Sequence, residues 1–211
     1  MIAFTHSTVP NIVRSVDFFN IMTYDLMNRR DNVTKHHTGV ANSLEALQAY
    51  VERGVSPEEM NLGLAFYVKW FRTAAGVNCS KEPIGCKTEL MEDPETGADL
   101  GQTGAFSWHD EVPRELSESF RKAEAYGVYD EDGGGYFYWD EAERLFWSWD
   151  TPEAIRRKVP AIVEKMKPGG MFAWGLGEDA PKFDHLRAAT EAVSSVSPPG
   201  FAQAYRERVE L

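Results

Sequence analysis

The chain has 211 residues, 43% of them hydrophobic and 12% aromatic, which is enough apolar material for one core or for a domain with a large insertion. Twenty-two basic residues stand against thirty-three acidic ones, a net charge of −11 that repels phosphate backbones and anionic lipid, with no local basic concentration to offset it. Nucleic acid is therefore not an expected partner, and neither is a membrane, since no run approaches the roughly 20 apolar residues that cross a bilayer.

Met1 to Pro10 is not a charged segment followed by an apolar core, so no signal peptide is expected in this chain. Val16 to Tyr24 is apolar and aromatic-rich and ends in Asp25, as a strand buried on both faces does when its C-terminal end delivers polar groups. After a polar loop through His37, Ser43 to Arg53 places Leu44, Leu47, Ala49 and Val51 at helical spacing, with Gly54 at the position of a C-terminal cap. Ser56-Pro57-Glu58-Glu59 reads as a capped turn that enters a second buried strand, Met60 to Tyr67, and this β/α/β rhythm implies a parallel sheet.

From about Arg72 to Trp149 the rhythm breaks into turns, an acidic helix near Pro113 to Tyr126, and two aromatic runs, Gly135 to Trp139 and Leu145 to Trp149, that read as a hairpin. Thr151-Pro152-Glu153 then opens a helix with a cap, an N1 proline and an early acid, running to about Lys167 before Pro168-Gly169-Gly170 stops it. Met171 to Leu176 is a third buried strand, Asp179-Ala180-Pro181 caps a last helix through about Val193, and Ser194 to Gly200 is a Ser- and Pro-rich tail expected to be mobile. The predicted organisation is an α/β domain at 1–71, an inserted α+β lobe at 72–150, a return to the α/β domain at 151–193 and a tail at 194–211.

Cys79 and Cys86 are spaced for a small loop-closing disulfide and not for a four-ligand zinc site. Asn32-Val33-Thr34 and Asn78-Cys79-Ser80 are glycosylation sequons that matter only in a secretory chain. His36 and His37 have no partner at a metal-site spacing, so no metal or other cofactor is expected and the pair reads as part of a solvated loop.

Phe19-Asn20-Ile21-Met22-Thr23-Tyr24-Asp25 resembles the Met-x-Tyr-Asp signature on the sixth barrel strand of glycoside hydrolase family 18, the family of fungal chitinases. Gly63-Leu64-Ala65-Phe66-Tyr67 is similar to the seventh strand, although the usual Tyr-Gly-Arg continuation is here Tyr67-Val68-Lys69, and Gly170-Met171-Phe172-Ala173-Trp174 resembles the eighth. Between the last two lies an insertion where the family carries its chitinase insertion domain, with Asp150 to Ile155 as the return to the barrel. The resemblance implies strands 6 to 8 of a (β/α)8 TIM barrel, typically secreted, without the fourth-strand Asp-x-x-Asp-x-Asp-x-Glu motif, a spacing that no acidic cluster here reproduces.

In that family a protonated glutamate protonates the glycosidic oxygen while the substrate acetamide is the nucleophile. Loss of a general acid removes roughly 10²–10⁴-fold of rate, so this chain alone is expected to be at best a poor glycosidase. The resemblance implies that Tyr24 and Asp25 contact the acetamido group and that Trp174 forms a floor under the sugar, with Met22 beneath the pocket and Tyr67 lining it. Ordinary packing competes for each: a buried tyrosine beside a capping aspartate, and apolar filling of a barrel interior. The hairpin's Trp139, Trp147 and Trp149 read as packing rather than as a saccharide wall, and Glu178 and Asp179 read as helix caps rather than substitute acids.

Three functions follow: a truncated hydrolase of β-1,4-N-acetylglucosamine polymers, a non-catalytic binder of chitin oligosaccharides, or a repurposed enzyme acting on another small molecule. Three parallel strands cannot close a barrel, so a second copy or a partner chain is expected to cover the open edges.

Overall fold

The computed structural model describes residues 4–196, in which a short helix α1 (Val9–Val13) leads into the first strand β1 (Phe19–Ile21). There follow α2 (Val40–Val51), β2 (Met60–Ala65), β3 (Tyr67–Arg72), β4 (Thr103–Ser107), α3 (Ser117–Tyr126), β5 (Val128–Asp130), β6 (Gly135–Asp140) and β7 (Leu145–Trp149). The chain ends with α4 (Pro152–Met166), β8 (Gly170–Trp174) and α5 (Asp184–Val196). Ser194 to Val196 of the expected tail belong to the last turn of α5, and residues 197–211 lie outside the described residues.

Two sheets result. The first is parallel, in the order β1-β2-β8, with Phe19 opposite Met60 and Leu62 opposite Met171. Alternate residues of β2 point to one face, so Met60, Leu62 and Leu64, followed by Phe66, bury against Leu47 of α2, Ile155 and Val159 of α4 and Ala188 of α5. The other face carries Asn20, Asn61, Gly63 and Phe172 and has no helical layer, and β1 and β8 each pair with β2 alone among the described residues.

The second sheet is antiparallel, in the order β4-β3-β7-β6-β5. β7 runs through its centre and is buried throughout, with Trp147 on the face under α3 and Phe146 on the face with Met27, Phe71 and Met91. Between β3 and β4 a disulfide joins Cys79 to Cys86, whose Cα atoms are 5.7 Å apart, and this segment is tied to the loop before α2 by the Thr34 N–H, which donates to the Cys86 carbonyl (2.8 Å), and by the Cys86 N–H, which donates to the Thr34 hydroxyl (2.9 Å).

Four expectations need correcting. Met171 to Leu176 is not a buried strand: β8 spans Gly170–Trp174 with no fully buried residue, since one of its faces has only partial cover, and Leu176 lies exposed beyond it. Met60 to Tyr67 is not one strand: β2 stops at Ala65, Phe66 hands its N–H to the Trp174 carbonyl, and β3 begins at Tyr67 in the other sheet. The first strand is only three residues long, because Val16 and Phe18 are exposed and the chain leaves the sheet at Met22. His36 and His37 are not solvated but buried, one against Phe137 with Asp130 as its partner, the other against Tyr67. Their burial follows from contacts with the lobe some hundred positions away in sequence, which no local pattern reports.

Candidate functional site

At the C-terminal ends of the parallel strands, where α/β sheets present their polar groups, a cleft of ≈ 630 Å³ opens between that sheet and the lobe. Met22, Tyr24 and Asp25 line it from the segment after β1, Tyr67 and Lys69 from β3, and Trp174 and Glu178 from the end of β8 and beyond. Ala105, Phe106 and Ser107 of β4 and the following Asp110 form the opposite wall.

Local sequence explains the placement. Thr23 extends the pairing of β1 beyond its last residue, its hydroxyl donating to the Gly63 carbonyl (2.7 Å) and accepting from the Gly63 N–H (3.0 Å). Gly63 is required here by close approach: a Cβ would lie 2.8 Å from the Tyr24 ring and 3.0 Å from Phe172. Tyr24 therefore lies flat on the strand, edge-on to Phe172 and Tyr67. Asp25 adopts a left-handed backbone (φ 53°), a conformation that aspartate tolerates better than most residues. It turns the carboxylate toward β3, where it accepts from the Tyr67 hydroxyl (2.9 Å) and the Lys69 ammonium (2.8 Å).

Burial pushes the Tyr67 phenol far above its ordinary range, helped by the charge of Asp25 and its hydrogen bond, so Tyr67 is a fixed donor to that carboxylate. Tyr24 is raised by burial, then by Asp25 and Glu178, and keeps its proton as well. Glu178 is the cleft carboxyl with an upward shift: burial comes first, Asp110 and Asp25 add to it, and a hydrogen bond from Trp174 works against it.

The structure thus brings Met22, Tyr24, Asp25, Tyr67 and Trp174 together around one cavity. Met22 does not lie beneath it. The residue is 67% exposed at the rim, because the chain has already left the sheet when it reaches Met22. Trp174, 59% exposed, presents its indole to the cleft, and the peptide bond after it is cis. Trp147 and Trp149 pack against the α3 cluster and Trp139 against Phe71's, so none of the three lines the cleft.

Lys69, which replaces the usual arginine, was legible only as a departure, yet it is the cation that holds Asp25. Asp179 is the cap, accepting from the backbone N–H groups of His185 and Leu186 at 3.0 Å each, whereas Glu178 one residue earlier faces the cleft. Asp110 carried no signal, since it reaches the site only because β4 folds back on β3.

The family model "Glycosyl hydrolases family 18" matches residues 3–179. The chain belongs to this family. Among curated relatives of this family 18 chain, Endochitinase 1 of Metarhizium robertsii is 25% identical over 182 residues, covering 81% of this chain and 38% of that protein. Nod factor hydrolase protein 1 of Medicago truncatula is 25% identical over 177 residues, covering 81% and 41%. This family 18 chain therefore spans about two fifths of the length of those relatives.

Among solved structures, a chitinase from Rhizomucor miehei superposes with a TM-score of 0.67 at 19% identity, covering 86% of this chain and 55% of that one. A plant class V chitinase mutant from Cycas revoluta, in complex with (GlcNAc)3, superposes with a TM-score of 0.60 at 19% identity, covering 87% and 48%. At such identities the likeness is one of fold, and it makes the β1-β2-β8 sheet with its helices a partial TIM barrel carrying an α+β lobe.

Proposed function

We propose that this family 18 chain binds N-acetylglucosamine oligosaccharides in the cleft and does not by itself cleave their β-1,4 linkages. The observation that carries this reading is Trp174: an indole more than half exposed at the end of a barrel strand, lining the same cleft as Tyr24 and Asp25 and bonded to Glu178, offers an open apolar face. Tyr24 and Asp25 supply a donor and an acceptor beside it, which suits an acetamido group, and the bound trisaccharide of the Cycas revoluta chitinase supports a sugar as ligand. Loss of the hydrolytic step rests on the missing Asp-x-x-Asp-x-Asp-x-Glu spacing. We take residues 72–150 as the counterpart of the chitinase insertion domain, with its sheet entered already at Tyr67.

A second reading, an enzyme acting on another small molecule in the same cleft, is favoured by Glu178, a carboxyl that burial and like charge bias toward its protonated form. Calorimetric titration with N-acetylglucosamine oligomers, with sugar release followed on the same sample, separates the two. Binding without release, weakened about tenfold or more in Trp174→Ala, is the expected result. Absence of any heat would remove the saccharide reading.

The unpaired outer edges of β1 and β8, together with the exposed Met22 and Phe18, are the surface on which we place a second copy or a partner chain. Sedimentation velocity of the purified chain at micromolar concentration should show self-association, and a single cooperative monomer there would sink this reading.

A further inference from the structure

We propose that Asn78 is an acceptor of N-linked oligosaccharide, open on the surface of the folded chain, and that folding closes the second sequon, Asn32-Val33-Thr34, to the same reaction. The inference does not depend on what the cleft binds, and neither asparagine lines it. Two observations meet in the segment between β3 and β4. The first is the pairing of Cys79 with Cys86, which uses both cysteines of the chain and buries both residues. Such a bond persists in oxidising compartments, and in the secretory pathway these are also where asparagine is glycosylated.

The second is the shape of the acceptor. Ala75 to Asn78 and Ser80 to Glu82 are exposed on either side of the buried Cys79. The Asn78 side-chain oxygen accepts the Ser80 N–H at 2.8 Å, a local turn in which the Asn78 Nδ2 and the Ser80 hydroxyl have no hydrogen-bond partner among the described residues. A sequon needs those two groups, the amide nitrogen that is modified and the hydroxyl two residues on. In the transfer a bond forms from Nδ2 to the anomeric carbon of a polyisoprenyl-diphosphate-linked oligosaccharide. The bond from that carbon to the diphosphate oxygen breaks, the lipid diphosphate leaves with the electron pair, and the nitrogen gives one proton to a base of the transferring enzyme. Asn32 is exposed as well, but its Thr34 is buried, donates its hydroxyl to the Pro83 carbonyl and accepts from the Cys86 N–H at 2.9 Å. The disulfide-closed segment that presents Asn78 thus covers Thr34, and freeing that hydroxyl means giving up both bonds.

The folded, oxidised and glycan-free chain, incubated with an oligosaccharyltransferase and a lipid-linked oligosaccharide donor, tests the inference, with the occupancy of each asparagine read by peptide mass mapping. Asn78 should be modified about tenfold faster than Asn32 or more, the factor set by the two bonds that hold Thr34. Ser80→Ala keeps the backbone N–H and so the turn, yet it should abolish transfer to Asn78, as should Asn78→Gln. The same mapping of protein isolated from its natural source should find Asn78 occupied. No transfer to Asn78, equal rates at the two sites, or an unmodified Asn78 in the natural protein would each overturn the inference.

Discussion

Asp150→Ala should cost about 3–5 kcal/mol of stability, read as a lower urea midpoint at an unchanged slope. Lys158 and Asp150 form an ion pair with no solvent exposure on either side chain. The Lys158 ammonium also donates to the Thr38 carbonyl and to the Thr38 hydroxyl, the latter at 2.8 Å, and Thr38 in turn donates to Asp150 at 3.0 Å. Burial pulls the lysine below its usual range and Asp150 holds it up, so removing the carboxylate leaves a buried cation facing only neutral oxygens. The bond between the His185 ring and residue 150 at 2.9 Å is to the backbone carbonyl and survives the substitution, so the loss reports the carboxylate alone. Replacing both partners with Asp150→Leu and Lys158→Met should recover much of the deficit, as an apolar pair needs no counter-charge. A loss below about 1 kcal/mol in the single variant would show that water reaches the pair.

This pair also shows where the sequence falls silent. Arg156, Arg157 and Lys158 are three consecutive cations on α4, and the first two face out, to Glu191 and Glu131. Only the lobe's return strand, by ending in Asp150, makes the third an interior residue. By contrast, the α4 start was written locally: Thr151 accepts from the Ala154 N–H at 3.0 Å, with Pro152 inside the first turn. The β6–β7 hairpin was legible for the same reason, since two aromatic runs separated by a short polar turn have few other uses.

The β2–β3 junction was not legible, because from Leu62 through Val68 the chain is apolar without a break and gives no sign of the point at which it changes sheets. The cleft divides in the same way. Residues at the ends of strands, Tyr24, Asp25 and Trp174, could be placed from strand logic and family resemblance. Asp110 and Glu178, which set its charge, depend on how β4 and the turn after β8 fold back. Likewise, α2 begins at Val40, three residues before its apolar pattern suggests. Its first free N–H groups, those of Val40 and Ala41, donate to the carbonyls of Gly134 and Gly133 in the lobe.

Stability should fall as the pH is lowered from about 7.5 toward 5.5, with His37 as the main cause. The imidazole is fully buried, stands 5.3 Å from the Tyr67 ring, and neither ring nitrogen has a hydrogen-bond partner among the described residues. Burial drives its pKa well below 6.5, and the charges of Lys69, Lys158 and His36 push in the same direction. The sign follows from proton counting: near pH 6 the unfolded chain binds a proton at this site that the folded chain refuses. The folded state is thus favoured above the unfolded pKa, and the advantage is lost as pH falls toward the folded one. His36 adds to the trend, since burial lowers its pKa despite the opposing bond to Asp130. One fully refused proton gives a slope of about 1.4 kcal/mol per pH unit. His37→Leu should flatten the slope by up to that amount without loss at pH 7.5. The backbone bonds of residue 37, its N–H to the Ser148 hydroxyl and its carbonyl from the Leu26 N–H, do not involve the ring. Chemical denaturation at half-unit pH steps measures both slopes, and an unchanged slope in the variant would assign the acid sensitivity to His36 instead.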